Sequence, residues 1–383
     1  MAPRFLDLIA SDASTIILQH CEDDLRSLRL VHRVTTTRVD EHITEIVCRT
    51  EESATFALER LPSLKRIEFV DLPARIFTQW LRDAMHARVT EVAYINRDNR
   101  DGDDAFDSDD EERVLDLGTI PPSVTTLLIE TRPGRFAMDP SPTLENLFMY
   151  VHRDCEWETS REYFAGFVKL AKLVVNNGPE GGFEDTFDLR GTSLKSIHID
   201  AEAATFLFPE TIEEVVSFYG RFTDETFSPN ASSMRVLTAH DFGGPSEGLS
   251  RMPGMWRRME TVGFELDETS DFMPPAGSVI VRDADVPKMT LCLVLSSEGH
   301  EKENVRKLAP IGHFVGTILV FCGDMGKDYD FDESHNPLAT YFESREAFVA
   351  SLHAVCPGAR VEFTGMEWLQ EHELFSAFLP NPW

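Results

Sequence analysis

A chain of 383 residues with 42% hydrophobic and 27% charged residues can fill a core, and it is longer than one core usually grows, which leaves several domains or a repeat architecture. Sixty-six acids against thirty-six bases give a net charge of −30, which argues against binding nucleic-acid phosphates or anionic membrane surfaces, since that affinity comes from Lys and Arg. The six cysteines, Cys21, Cys48, Cys155, Cys292, Cys322 and Cys356, show no paired short spacing, so they read as reduced core residues rather than zinc ligands or a disulfide framework.

From the N-terminus, Met1-Ala2-Pro3-Arg4-Phe5-Leu6-Asp7 acquires an acid at once and lacks the apolar run of a signal peptide. The longest apolar stretch, Val315 to Cys322, is far too short to span a bilayer. The expected location is cytoplasmic or nuclear. Residues 1–40 read as a small helical module: Ile16, Ile17, Leu18, Cys21, Leu25, Leu28, Leu30 and Val31 fall at spacings of three and four, with Asp12 or Ser14 as N-cap.

Beyond residue 40 the period changes. The spacing apolar-x-x-apolar-x-apolar appears at Ile43-x-x-Ile46-x-Cys48 and then returns through the chain. The cleanest copies begin at Leu64, Val89, Val124, Leu144, Leu170 and Leu194. The last three positions alternate as a short strand does and the first anchors the incoming turn, so each copy predicts one rung of a stack. Helices are predicted over Ser53 to Arg60, Ala74 to His86, Ser160 to Val168 and Ser344 to Val355, each followed by a turn and a rung.

Between the rungs at 89 and 124, nine of the fifteen residues from Asp98 to Glu112 are acids, a density that predicts a loop rather than a buried element. The segment lacks the glycine at the sixth position of a calcium-binding EF-hand loop. Ser108, followed by Asp109-Asp110-Glu111, fits an acidophilic kinase. Weaker rungs at Met234, Met259, Met289 and Val315 lie among Gly243-Gly244-Pro245, Pro274-Pro275 and Gly323. The C-terminal third is read as irregular repeats, with a separate small α/β unit as the other possibility.

Residues suited to chemistry are few. Gly323-Asp324-Met325-Gly326-Lys327 lacks the spacing and terminal Ser/Thr of a phosphate loop, and neither a Gly-x-Ser-x-Gly elbow nor a His-Glu-x-x-His pair occurs. His313 and His335 could meet Cys322 in space, but a lone histidine near an apolar strand is usually a satisfied structural residue, and Glu213-Glu214 and Asp109-Asp110 read as solvated charge. No catalytic residue, cofactor or metal is expected, which points to a non-catalytic protein-protein interaction protein. The strand positions expected to face solvent, Lys65, Glu68, Thr125, Glu145, Lys195 and His198, are mixed in character and name no ligand class. The acidic excess either keeps the surface soluble or steers a basic partner.

Two resemblances sharpen this. The helix, turn and strand order is that of leucine-rich repeats, and Cys356-Pro357-Gly358-Ala359-Arg360-Val361-Glu362-Phe363 resembles their turn and strand. Ile120-Pro121-Pro122-Ser123-Val124-Thr125-Thr126-Leu127 and Phe208-Pro209-Glu210-Thr211-Ile212-Glu213-Glu214-Val215 are similar to FNIP-type repeats, which accompany F-boxes. Residues 8 to 33, with Asp24-Leu25 and Leu28-Arg29-Leu30-Val31-His32-Arg33, resemble an F-box in which Ile9-Ala10 replace the family's Leu-Pro. The expected fold is thus α/β: a leucine-rich-repeat-like solenoid over 41–383, with an acidic loop at 98–112, behind an F-box-like module at 1–40. The resemblance implies a substrate receptor of a Skp-cullin-F-box ubiquitin ligase. Ile16, Ile17, Leu25, Leu28 and Val31 would meet the Skp-type adaptor that joins the cullin, and the repeats would hold an unknown protein target. The alternative is a repeat scaffold unconnected with ubiquitin, its N-terminal helices serving only as an end-cap.

Overall fold

A computed structural model describes residues 43–84, 88–96, 114–131, 135–151, 156–182, 186–221, 225–227, 232–239, 253–266, 273–274, 279–295, 302–322 and 345–364. It is an α/β structure dominated by parallel strands, with few helices among the described residues. The chain divides into two compact units, Met1–Glu158 with Phe167–Leu170, and Thr159–Gly166 with Ala171–Trp383.

In the first unit β1 (Glu45–Cys48), β2 (Arg66–Val70), β3 (Glu91–Ile95), β5 (Thr126–Thr131) and β7 (Asn146–Val151) pair in parallel in that order without a register shift. Each strand grows out of one copy of the apolar spacing. Before β2, β5 and β7 a tight turn closes, with the amides of Leu64, Val124 and Leu144 donating to the carbonyls of Leu61, Pro121 and Ser141. Lys65, Thr90, Thr125 and Glu145 then each donate an amide to the residue at the same place one copy earlier, which sets the register before the strand begins.

Register turns the sequence pattern into rows. Ile67, Val92, Leu127 and Leu147 align across the sheet, as do Cys48, Phe69, Tyr94, Ile129 and Met149, and all nine are buried. Each such side chain contributes about 1.5–3 kcal/mol by leaving water. The layer behind this core changes along the chain. First come α1 (Glu51–Arg60), whose N-cap Thr50 and Ser53 form a reciprocal capping box, and α2 (Ala74–Asp83). Phe77 of α2 stacks on Tyr94 at 4.6 Å and Trp80 meets Phe69 at 5.2 Å, while the Tyr94 hydroxyl donates to the Leu72 carbonyl at 2.9 Å. Next comes a second parallel sheet of β4 (Val114–Asp116), β6 (Arg135–Ala137) and β8 (Glu156–Trp157), which buries Leu115, Phe136 and Trp157.

The second unit repeats the plan. β9 (Lys172–Gly182), β11 (Ser196–Leu207), β12 (Glu214–Arg221), β13 (Val236–Ala239), β14 (Thr261–Glu265), β15 (Met289–Leu295), β16 (Val315–Cys322) and β17 (Arg360–Thr364) pair in parallel in chain order. β10 (Thr186–Asp188) adds to the far end of β11. Behind the core, α3 (Arg161–Ala165) leads into a run of phenylalanines. Phe187 lies 6.2 Å from Phe164 and stacks on Phe206 at 4.8 Å, and Phe208 meets Phe227 at 5.1 Å. Later in the unit α4 (Lys302–Lys307) and α5 (Arg345–Val355) take this layer, with Phe348 and Leu352 buried.

Several expectations shift in detail. The first helix starts at Glu51 because Thr50 caps it, the second is helical to Asp83, and the third stops at Ala165, where Gly166 ends it. In the C-terminal third a strand parallel to its predecessor is present at each copy of the spacing, but in β15 a register shift after Met289 sets Leu291 and Leu293, rather than the expected Cys292 and Val294, in the rows of Val262 with Ile318 and Phe264 with Val320, and leaves Val294 half-buried. The boundary at residue 40 and the whole of the 98–112 loop lie outside the described residues.

Candidate interaction site

Because strand side chains alternate, each sheet has a second face that its main core does not use. In the second unit this face carries a polar group across β9, β11 and β12, where Lys172, Ser196 and Glu214 stand in register. The Ser196 hydroxyl donates to Glu214 Oε2 at 3.0 Å, and His198 Nε2 lies 3.5 Å from Glu214 Oε1. Contact with His198 holds the Glu214 carboxyl below its ordinary value against the opposing effect of burial, aided by Ser196 and the Lys172 charge. Two residues along β11, Asp200 accepts a hydrogen bond from Asn176 Nδ2 at 3.0 Å, while its buried Oδ1 has no hydrogen-bond partner. Burial pushes the Asp200 carboxyl up to about 6.

The order hydroxyl, carboxylate, imidazole puts the acid in the middle. A nucleophile is activated by the other order, with imidazole between hydroxyl and carboxylate. This arrangement instead fixes the three side chains to one another. The buried thiols give chemistry no better foothold: burial pushes Cys292 up to about 12 and Cys356 up to about 11, which keeps both protonated. Among the described residues no group of three or more His, Cys, Asp or Glu side chains is placed to hold a metal ion.

The first unit's second face is different in character. Val70, Ala93, Ile95 and Leu128 form a buried apolar cluster of their own, with Val47, Phe148 and Tyr150 half-buried against it. Burial, and then the Glu130 charge, pushes the Tyr150 hydroxyl up to about 12.

Of the residues singled out from sequence, Ile16, Ile17, Leu25, Leu28, Val31 and Ser108 lie outside the described residues. Lys65, Glu145 and Lys195 are exposed, and Glu68 and Thr125 are half-buried. His198 departs from its expected solvent-facing place: it is only 2% exposed, because the registered neighbours on either side are the buried Val174 and Val216. Glu214 likewise is no free surface charge, since it is tied to Ser196 and His198, while its neighbour Glu213 pairs with Lys195 at 3.4 Å. Asp200 and Asn176 were not singled out at all. The alternation Ser196-x-His198-x-Asp200, three polar residues on one side of a strand whose other side is Ile197 and Ile199, is the signal that finds Asp200.

No family model matches this chain, and no curated protein matches it either. Among the described residues no helix is long and apolar enough to cross a membrane.

Proposed function

We propose that the chain is a non-catalytic protein-interaction protein, a substrate receptor of a Skp-cullin-F-box ubiquitin ligase in which each unit is a leucine-rich-repeat-like solenoid. The observation that carries the reading is one parallel strand per copy of the apolar spacing, added in chain order within each unit. Such a stack spends its core positions on holding the rungs together and leaves alternate side chains for recognition. The ubiquitin connection is supported by the F-box resemblance of residues 8 to 33. In this scheme Ile16, Ile17, Leu25, Leu28 and Val31 meet the adaptor, and the chain contributes proximity between a bound target and the ubiquitin-charged enzyme.

The test is recovery of Skp adaptor and cullin by the intact chain and by a Leu25→Asp, Leu28→Asp variant. Adaptor recovered by the first and lost with the second supports the receptor. A well-folded intact chain that recovers none sinks it, and leaves the scaffold reading with the N-terminal helices as an end-cap.

A further inference from the structure

We propose that Val279-Ile280-Val281, at the edge where the chain enters the later strands of the second unit, is a docking strip for an extended segment of another protein that carries Asp or Glu beside apolar side chains. The inference rests on the proposed function only in taking the chain to bind protein, and it needs no ubiquitin adaptor.

A lone exposed valine is ordinary, but of the four large apolar side chains exposed among the described residues two stand together here, Val279 at 78% and Val281 at 63%. Ile280 between them and Arg282 after them are half-buried, and this alternation by twos is the period of an extended chain. Among the described residues Val279, Ile280 and Val281 make no backbone hydrogen bond, so their N–H and C=O groups are open to a second strand. The strip is also held in place. Arg282 Nη1 donates to the Met259 carbonyl at 2.6 Å, Nη2 donates to the Pro287 carbonyl at 2.8 Å, and the guanidinium lies 5.5 Å from the centre of the Phe314 ring. Those three residues stand just before β14, β15 and β16, so one side chain ties the strip to the entry of three strands. Asp283 adds an amide bond to the Arg257 carbonyl and an ion pair with its side chain. A strip fixed in this way loses little freedom when a partner pairs with it.

Charge selects the occupant. The contacts of Arg282 bring Arg258, next to Met259, and Lys288, next to Pro287, to the surroundings of the strip. Both are exposed, and neither forms an ion pair among the described residues. Of the acids nearby, Asp283 is paired with Arg257 and Glu260 with Arg235, which leaves Asp285 as the exposed one. Arg258, Arg282 and Lys288 against Asp285 is a positive surplus within a chain whose net charge is −30. Basic segments are repelled there, and a wholly polar acidic segment leaves the two valines in water. At about 0.15 M salt, charges more than about 8 Å away are largely screened, so these neighbours rather than the distant acids decide which segment docks.

The experiment is selection of a random library of twelve-residue displayed peptides on the intact chain at about 0.15 M salt, after depletion on a Val279→Ser, Val281→Ser variant. Affinity and amide hydrogen exchange are then measured with a synthesised winner. Winners should carry Asp or Glu beside apolar residues. The amides of Val279 to Val281 should exchange rapidly in the free chain, and the winner should slow alternate ones about tenfold or more, as pairing with a strand requires. The valine variant should bind it about tenfold more weakly, and an Arg258→Glu, Lys288→Glu variant about fivefold. A Val168→Ser, Lys169→Glu variant, with the same kinds of change at exposed positions of the first unit, should bind as the intact chain does. No winner after depletion, winners without acids, or unchanged exchange at the strip overturns the proposal. So does self-association of the intact chain that the valine variant abolishes, since a second copy then fills the strip. Adaptor recovery by the same variants keeps the two readings apart, because lost adaptor binding through residues 16 to 31 and lost peptide binding at the strip are separate results.

Discussion

At the scale of single residues, Asp200 is where the second unit spends stability. Its folded carboxyl lies near 6 against an ordinary 3.8, raised by burial, with Oδ1 buried and without a hydrogen-bond partner. A carboxyl raised in the folded state binds its proton more tightly there than in the unfolded chain. The cost is therefore absent below about 3.8, grows as pH rises, and is complete above about 6. Asp200→Asn keeps an oxygen to accept from Asn176 and removes the charge. It should raise stability at neutral pH by about 1–2 kcal/mol, somewhat less than the full shift allows because the side chain is only partly buried. Denaturant midpoints for the two proteins should converge as the pH falls through 6, and a gap that stays constant with pH would show that the carboxyl is not the cause. The same residues mark how far sequence carries at this scale. Leu173 and Ile197 were legible as core because a repeated spacing names them. His198 and Glu214 were not legible as a contacting pair, since their meeting depends on register between two strands eighteen residues apart in pairing.

At the scale of elements, the tightest fit is where α5 passes the short turn before β16. A Cβ added at Gly312 would stand 1.8 Å from the Val355 carbonyl oxygen and 2.8 Å from its carbonyl carbon, so the last residue of the helix and the entry to the strand touch backbone to backbone. Neither partner is a flexible side chain that can swing aside. Gly312→Ala should therefore cost about 2–3 kcal/mol by overpacking. Gly254→Ala, where an added Cβ meets nothing within 4 Å, is the matched control and should leave the melting temperature unchanged. Equal melting for both variants would mean that α5 shifts away freely. Element legibility follows the length of the periodic signal. Most long-sheet strands of both units coincide with copies of the apolar spacing, because its three positions are forced inward; β12 and β17 depart from it, with Ser217 and Gly358 at one of those positions, and β15 is displaced by one residue. The strands β4, β6, β8 and β10 were missed because each is two or three residues long and buries one side chain, Leu115, Phe136, Trp157 and Phe187, and a single buried position has no period.

At the scale of the whole molecule, two opposed electrostatic effects set the response to salt. Exposed ion pairs such as Lys195 with Glu213 and Arg235 with Glu260 are favourable, but each is worth only about 0–1 kcal/mol and fades when screened. Against them stands the mutual repulsion of a chain with a net charge of −30, which acts over all its carboxylates and weakens as the screening length falls. Going from about 0.01 M to about 0.15 M salt shortens that length from about 30 Å to about 8 Å, which removes most repulsion between distant acids and leaves contacts at 3 to 4 Å less affected. Relieved repulsion should therefore win, and the melting temperature should rise by roughly 2–4 °C for each 1 kcal/mol gained at this size. A melting temperature that falls with sodium chloride over this range would show that local pairs dominate. In that case the acidic surplus is already neutralised where it lies, and the long-range attraction invoked for a basic partner loses its source.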